Sequence, residues 1–255
     1  MLVLSGAGLS TESGIPDYRG PTGLALRATP MTYQTFTGSA SARRRYWARS
    51  HLGWRRIARA LPNDGHRAVA ELGRRGLLTG IITQNVDGLH QAAGAAQVTE
   101  LHGSLHRVIC LSCGQRTSRA DLDRRLEAAN PGWGPVVEPA TINPDGDVVL
   151  AAEATESFQV VDCSACQGVL KPDVVFFGEN VPRDRVDAAF RHLDEADAML
   201  IVGSSLMVYS GFRFVQRAAS AGKPVAAVNL GRTRADALLT LKAEQACEAA
   251  LAFLL

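Results

Sequence analysis

The chain has 255 residues, 46% of them hydrophobic, and its 27 basic and 25 acidic side chains leave a formal charge of +2. That length supports one large domain, or a large domain carrying a smaller one, with a sizeable apolar core and no need of a disulfide framework. So small a charge gives no basis for binding a phosphate backbone across a whole face, so nucleic acid is not an expected partner. No run approaches the roughly 18 to 20 uncharged apolar residues of a membrane span.

The start, MLVLSGAG, has no basic segment ahead of a long apolar run, so a soluble cytoplasmic protein is expected. Lysine occurs only at Lys171, Lys223 and Lys242 among many arginines, and with the abundant alanine this bias points to a GC-rich bacterial genome. Leu2 to Ser5 is a short apolar run ending in Gly6-Ala7-Gly8, the pattern of a buried parallel strand feeding a tight turn. The strand begins almost at Met1, which leads to the expectation that the natural start lies upstream. Glycines at Gly6 and Gly8 let a backbone turn sharply and approach a pyrophosphate. For this motif alone a plain tight turn is the alternative, since Thr11 stands where a third dinucleotide-binding glycine would be. The continuation through Ser10, Ile15, Pro16, Asp17, Tyr18 and Arg19 packs hydroxyl, carboxylate, aromatic and guanidinium groups into one loop, more than a structural loop needs.

Between Thr32 and about Arg75, apolar residues recur at helical spacing among arginines, with a break at Asn63-Asp64-Gly65; this reads as a helical insert. Leu77 to Thr83 and Val98 to Leu101 read as further buried strands. Gln84, Asn85, Val86 and Asp87 follow the first and His102 the second, at the strand ends where ligands bind in open α/β sheets. Amides there can bond ribose hydroxyls and a carboxylate can accept from a carboxamide, a helix cap being the other reading. A neutral imidazole at His102 can take a proton at neutral pH, although a single histidine also serves simply as a packed core residue.

Cys110, Cys113, Cys163 and Cys166 form two CxxC pairs, enough thiolates to complete a tetrahedral S₄ shell around one structural zinc ion and leave no position for water. The 49 residues between the pairs imply an insertion between the arms of a zinc ribbon. The fifth cysteine, Cys247, reads as a packed thiol. After this module Val174 to Phe177, Ala198 to Val202 and Val225 to Val228 resume the strand pattern, separated by helical stretches at Arg183 to Glu195 and Gly211 to Ala221. Gly203-Ser204-Ser205 and Asn229-Leu230-Gly231 follow two of these strands and repeat the design of the first turn. Five polar turns on five strand ends point to one long ligand.

Taken together, Gly6 to Ser10, Gly14 to Arg19, Thr83 to Asp87, Leu101 to Ser104, the CxxC pairs, Phe177-Gly178-Glu179 and Gly203 to Leu206 resemble the sirtuin family. The order and spacing match over nearly the whole chain, and Pro30 to Tyr33 with Arg44 to Trp47 is most similar to the class II branch. The resemblance implies an α/β fold: a Rossmann-like doubly wound parallel sheet with a smaller zinc-ribbon plus helical domain inserted. The large domain would take 1–30, 78–106 and 172–255; the helical insert 31–77 and the zinc-binding module 107–171 would form the small one. It implies an NAD-dependent protein-lysine deacylase in which NAD and an acyl-lysine protein meet in a cleft between the domains. In that family's mechanism nicotinamide leaves as the acyl oxygen attacks the ribose, and the residue matching His102 is the general base that lets the acyl group migrate.

On the same resemblance Asn85 and Asp87 hold the ribose, a water and the carboxamide, Gln84 contacts a ribose, and Arg19 belongs to a loop over the phosphates. Ala7, Ile15, Pro16 and Tyr18 line the nicotinamide side. Gly203, Ser204, Ser205, Asn229 and Leu230 serve the adenosine half, with Cys247 a late adenine contact. Val175, Phe176, Gly178 and Glu179 match the segment that pairs with the substrate peptide. Two departures stand out: the elements usual ahead of the first strand are absent, and the tyrosine and arginine that read an acidic acyl group have no counterpart around Ala25 to Thr37, which counts against succinyl-lysine. A protein mono-ADP-ribosyltransferase is the alternative activity, and a non-catalytic zinc-ribbon binding module the alternative from another class.

Overall fold

The computed structural model of the chain describes residues 1–18, 30–134, 147, 148, 150, 151 and 153–255. Arg19 and the part of the Ala25 to Thr37 stretch before Pro30 lie outside the described residues. The strands are β1 (Leu2–Ser5), β2 (Gly80–Thr83), β3 (Val98–Glu100), β4 (Gly103–Cys110), β5 (Arg116–Ser118), β6 (Leu170–Val174), β7 (Met199–Val202), β8 (Val225–Val228) and β9 (Leu241–Ala243). The α-helices are α1 (Tyr33–Gly38), α2 (Ala40–Ile57), α3 (Asp64–Arg74), α4 (Leu89–Ala92), α5 (Arg119–Ala129), α6 (Arg183–Asp194), α7 (Tyr209–Ser220) and α8 (Cys247–Leu251). They divide into two compact units, one of Met1–Ala25, Ala60–His102 and Val181–Leu255, the other of Leu26–Arg59 and Gly103–Asn180.

The first unit is built on a sheet of order β3-β2-β1-β7-β8-β9 in which every described pairing is parallel. Successive side chains of a strand point to opposite faces, and both faces here are apolar. Leu2, Leu4, Ile82, Ile201 and Ala227 pack with Leu193 of α6 and Phe212, Phe214 and Val215 of α7. Val3, Ile81, Val202 and Val228 pack on the other side with Val69 and Leu72 of α3 and Leu251 of α8. Each of these valine, leucine, isoleucine and phenylalanine side chains contributes about 1.5–3 kcal/mol relative to leaving it in water. Burial on both sides is what turns short runs such as Leu2 to Ser5 into strands rather than helix turns.

Two readings of the sequence need correction. The run 31–77 does not act as one insert: α1 and α2 belong to the second unit, while α3 belongs to the first. Asn63 caps α3 by accepting from the His66 amide at 3.2 Å, and its amphipathic face then joins the sheet's core. Nor does Val174 to Phe177 resume the parallel pattern. Only Val174 of that run lies in a strand, β6, which pairs antiparallel with β4 in a small sheet of order β5-β4-β6, while Phe177 beyond it makes an isolated bridge to Thr32; residues 103–106 and 172–180 fall in the second unit. An apolar run alone does not tell a parallel strand from an antiparallel one.

The second unit holds an aromatic cluster in which Phe36, Tyr46, Trp47 and Phe176 meet edge to face, and Trp133 packs separately on Phe158. The fully buried Arg119 guanidinium lies over Trp47 at 5.4 Å and Trp54 at 4.8 Å and pairs with Asp123, so its charge is compensated inside the protein.

Candidate active site

Register decides what the first unit can bind. Ser5 lies level with Thr83 on one side and Val202 on the other, Thr83 with Glu100, and Val202 with Val228. The strands therefore end in one row, and Gln84, Gly6, Gly203 and Asn229 all leave the sheet along the same edge. The glycines there are a packing device first. A Cβ on Gly6 would lie 2.7 Å from the Ser204 Cβ, and one on Gly8 3.0 Å from the Gly203 carbonyl oxygen. The Gly8 amide donates to that same oxygen at 2.8 Å, which locks the turns after β1 and β7 together. Among the described residues the backbone amides of Ala7, Ser204 and Ser205 find no acceptor, so three donors stand unpaired beside this junction. Such a set suits an anionic group like a pyrophosphate.

Beside it lies a polar network with nearly every group engaged. The Ser10 hydroxyl donates to Asp87 Oδ2 at 2.7 Å, and Asn85 Nδ2 donates to Ser10 Oγ and to the Gly6 carbonyl, each at 3.0 Å. Asp87 Oδ1 accepts from the Leu89 amide at 2.9 Å, so this buried carboxylate is held from two sides. Gln84 Nε2 donates to Ser204 Oγ at 2.6 Å. Behind them two buried histidines, His66 and His90, meet edge to face at 5.3 Å. Burial first, and then the neighbouring His90 and Arg67, pull His66 down to about 3, while burial alone pulls His90 to about 4. Both are neutral at physiological pH.

His102 sits just past β3. Its Nδ1 lies 3.0 Å from the Gln84 carbonyl, which can only accept, so Nδ1 carries the proton and Nε2 keeps the lone pair. Burial, followed by the positive charges of Arg185 and Arg213, holds its pKa below the ordinary histidine value although the Gln84 bond works the other way. The ring is thus a neutral base with its basic nitrogen defined. Ile15 and Asp17 are buried, Tyr18 and Leu230 are exposed, and Val86 is half-buried. Asn229 donates to the Leu230 carbonyl at 2.8 Å and so shapes the turn after β8 that leads to Gly231. Cys247 starts α8 with its thiol in the core beside Leu9 and Val228, where burial pushes its pKa up to about 12.

In the second unit the four cysteine sulfurs all lie within 4.8 Å of one another. Cys110 and Cys166 are 3.5 Å apart and Cys113 and Cys163 3.9 Å. A tetrahedron with metal–sulfur bonds of about 2.3 Å has edges of about 3.8 Å, so the set fits one zinc ion. Both loops turn back with a positive φ, at Gly114 (72°) and Gln167 (58°), and their backbones close on Cys110 and Cys163. Cys110 is drawn down to about 6, chiefly by the Cys113 amide, whereas Cys166 is driven up to about 12 by the surrounding thiols against the pull of the Gly168 amide. One thiolate among crowded sulfurs opposes the next, and a dication removes that opposition.

The segment after β6 is fixed from within. Buried Lys171 donates to the Val174 carbonyl at 2.5 Å and pairs with Glu179 at 3.1 Å, and Glu179 in turn accepts from the Phe176 amide at 2.9 Å. Gln34 donates to the Gly178 carbonyl at 3.0 Å and the Tyr33 amide to that of Phe177 at 2.9 Å.

The model of one family, described as the Sir2 family, matches residues 6–210. The chain belongs to the Sir2 family. A relative of this sirtuin in Streptomyces coelicolor, named NAD-dependent protein deacetylase 1, is 64% identical over 238 residues, which cover 93% of this chain and 79% of the relative. Another in Xanthomonas campestris pv. campestris, named NAD-dependent protein deacetylase, is 59% identical over 254 residues, covering 100% of this chain and 86% of its own. A solved structure described as "Sir2-p53 peptide-NAD+" superposes with a TM-score of 0.79 at 30% identity, covering 99% of this chain and 90% of that one. One described as "Sir2 bound to acetylated peptide" gives 0.78 at 28% identity, covering 99% and 90%.

For this sirtuin the structure brings Gly6, Gly8, Ser10, Gln84, Asn85, Asp87, Gly203 and Ser204 into one hydrogen-bonded or packed cluster, with His102 joined through Gln84. The sequence reading assigned no role to the buried His66 and His90 behind the network, nor to the hydroxyls of Ser5 and Thr83, which bond at 2.9 Å. Hydroxyls on the last residues of two apolar strands were the available signal. It also missed Ser210, whose hydroxyl lies 2.8 Å from His102 Nε2 and which no motif marks.

Proposed function

We propose that this sirtuin is an NAD-dependent protein-lysine deacylase that consumes NAD and releases nicotinamide, O-acyl-ADP-ribose and free lysine. The observation that carries the proposal is His102, a neutral imidazole with Nδ1 tied to a carbonyl and Nε2 left basic, joined through Gln84 to the row of strand ends. NAD would supply an electrophilic ribose carbon and a good leaving group. The chain's own residues supply the rest. The Ala7, Ser204 and Ser205 amides, with Gly6, Gly8 and Gly203 permitting the close turns, would cradle the phosphates. Asn229, Leu230 and Gly231 would meet the adenosine half, with Cys247 limited to a backbone contact because its thiol is in the core.

Ser10, Asn85 and Asp87, with Ile15, Pro16, Asp17, Tyr18 and Val86 around them, would orient the nicotinamide end. His102 would accept the proton of a ribose hydroxyl at Nε2. The segment Val175, Phe176, Gly178 and Glu179, braced by Lys171, would add the substrate peptide as a strand. Acetylated peptide in one structural neighbour and the naming of the bacterial relatives support acyl-lysine proteins as substrates. Cys110, Cys113, Cys163 and Cys166 would hold a structural zinc ion. We place the enzyme in the bacterial cytoplasm, in keeping with a thiol cluster that suits a reducing compartment. Among the described residues no helix is long and apolar enough to cross a membrane.

The test is nicotinamide release from NAD in step with deacetylation of an acetyl-lysine peptide. His102→Ala should lose product formation while it still binds NAD; undiminished turnover would remove His102 from its role. Isotopically labelled NAD separates deacylation, in which label ends on free acyl-ADP-ribose, from ADP-ribosyl transfer, in which it ends on protein.

A further inference from the structure

The first turn of α7 is built against His102. Gly211 lies so close to Gln84 that a Cβ there would stand 2.6 Å from the Gln84 Oε1, and this approach brings the preceding residue, Ser210, to the imidazole. Its hydroxyl oxygen is 2.8 Å from His102 Nε2, the nitrogen that has the lone pair because Nδ1–H is given to the Gln84 carbonyl. A lone pair on Nε2 can only accept, so Ser210 is the donor. The two bonds hold opposite edges of one ring, one from the end of β2 and one from α7. Two cations face the same imidazole, Arg213 one turn further along α7 and Arg185 on α6.

We propose that Ser210 is a positioning residue for the base: its hydroxyl, donated to Nε2, fixes the plane of the His102 ring and keeps it neutral until a substrate hydroxyl takes its place. The proposal rests on His102 acting as the base of a deacylase. In the step itself the substrate O–H gives its proton to Nε2 and the imidazole becomes an imidazolium; Ser210 neither gains nor loses a proton. Because the hydrogen bond serves the neutral ring, removing it makes protonation easier, in the direction opposite to the effect of Arg185, Arg213 and burial. Ser210 is only partly buried and opens a helix, a position at which alanine is well tolerated, so Ser210→Ala tests the bond without dismantling the fold.

The experiment follows the His102 imidazole by NMR titration of selectively labelled protein, and the pH profile of kcat/KM for an acetyl-lysine peptide, in wild type, Ser210→Ala and Ser210→Thr. Loss of one hydrogen bond should move both the titration and the acid limb of the profile up by roughly 0.7 pH unit, a roughly fivefold loss of activity at the acid end. Ser210→Thr should restore both. Coincident curves for all three proteins would overturn the proposal. So would a uniform loss of activity at every pH with an unmoved titration, which would place Ser210 in contact with substrate or in the fold alone. A shift in the opposite direction, which would mean that the hydroxyl serves the imidazolium, overturns it as well. If wild type releases no nicotinamide with peptide and NAD, the deacylase reading fails, while the titration still decides whether Ser210 governs His102.

Discussion

Gly203→Ala is the sharpest test of the junction at the centre of the site. Gly203 has a φ of 62°, and a Cβ there would lie 2.3 Å from the Leu9 nitrogen and 2.6 Å from the Gly8 carbonyl carbon. Both are main-chain atoms of the turn that Gly203 itself holds through its carbonyl, so neither can move without breaking that bond. A left-handed alanine costs about 1–2 kcal/mol and overpacking typically about 1–3 more, together about 2–5 kcal/mol. Gly231 provides the comparison: its φ is 75° but nothing lies within 4 Å of the added atom, so Gly231→Ala should carry only the first cost. In a chain of this size the larger figure corresponds to a fall in Tm of about 4–20 °C. Urea unfolding and thermal melts followed by far-ultraviolet circular dichroism would measure both variants. If Gly203→Ala came within about 1 kcal/mol of Gly231→Ala, smaller than the usual overpacking cost, the interlock of the two turns would not be what these glycines are for.

Two further outcomes are expected. His66 and His90 have folded values of about 3 and about 4 against an ordinary 6.5, so the fold favours their neutral forms; that stability is complete above 6.5 and drains away as pH falls. Each loses about 1.4 kcal/mol per pH unit below 6.5, so the urea midpoint measured at pH 5 should reflect roughly 4 kcal/mol less stability than at pH 7. A profile that stays flat in wild type, or one no flatter in His66→Gln/His90→Gln, would contradict this. For the cysteines, about one zinc per chain is expected by elemental analysis. Cys110→Ser should release it and unfold the small module, with Trp47, Trp54 and Trp133, all in that unit, reporting the change by fluorescence. Full folding and activity without metal would show that the cluster is not a structural site.

Much of the first unit is legible in the sequence because parallel strands buried on both faces must be apolar throughout and because ligand groups then have to follow their carboxyl ends. Leu2 to Ser5 with Gly6, and Met199 to Val202 with Gly203, could be read that way. What the reading could not see is why the glycines are there: it weighed a ligand against a plain tight turn, whereas Gly6, Gly8 and Gly203 are needed first by one another, a relation between residues far apart in the chain. The same blindness to long-range pairing put β6 in the wrong sheet and α3 in the wrong unit, since an apolar period names a buried face but not the partner that buries it. The cysteines were legible because a metal's coordination number reduces four distant residues to one arithmetic. Ser210 was not, because a serine at the start of a helix has ordinary uses and only the packing of Gly211 on Gln84 gives this one another.

The sheet order has a consequence for the making of the protein. Strand β1 is an inner one, flanked by strands that begin at Gly80 and Met199, far later in the chain. One of its edges therefore waits until most of the chain has been translated, and an unpaired apolar strand edge is the feature that other chains find first. Synthesis of this protein should depend on chaperone shielding more than its size suggests, and truncation anywhere before β7 should give an insoluble product rather than a weaker enzyme.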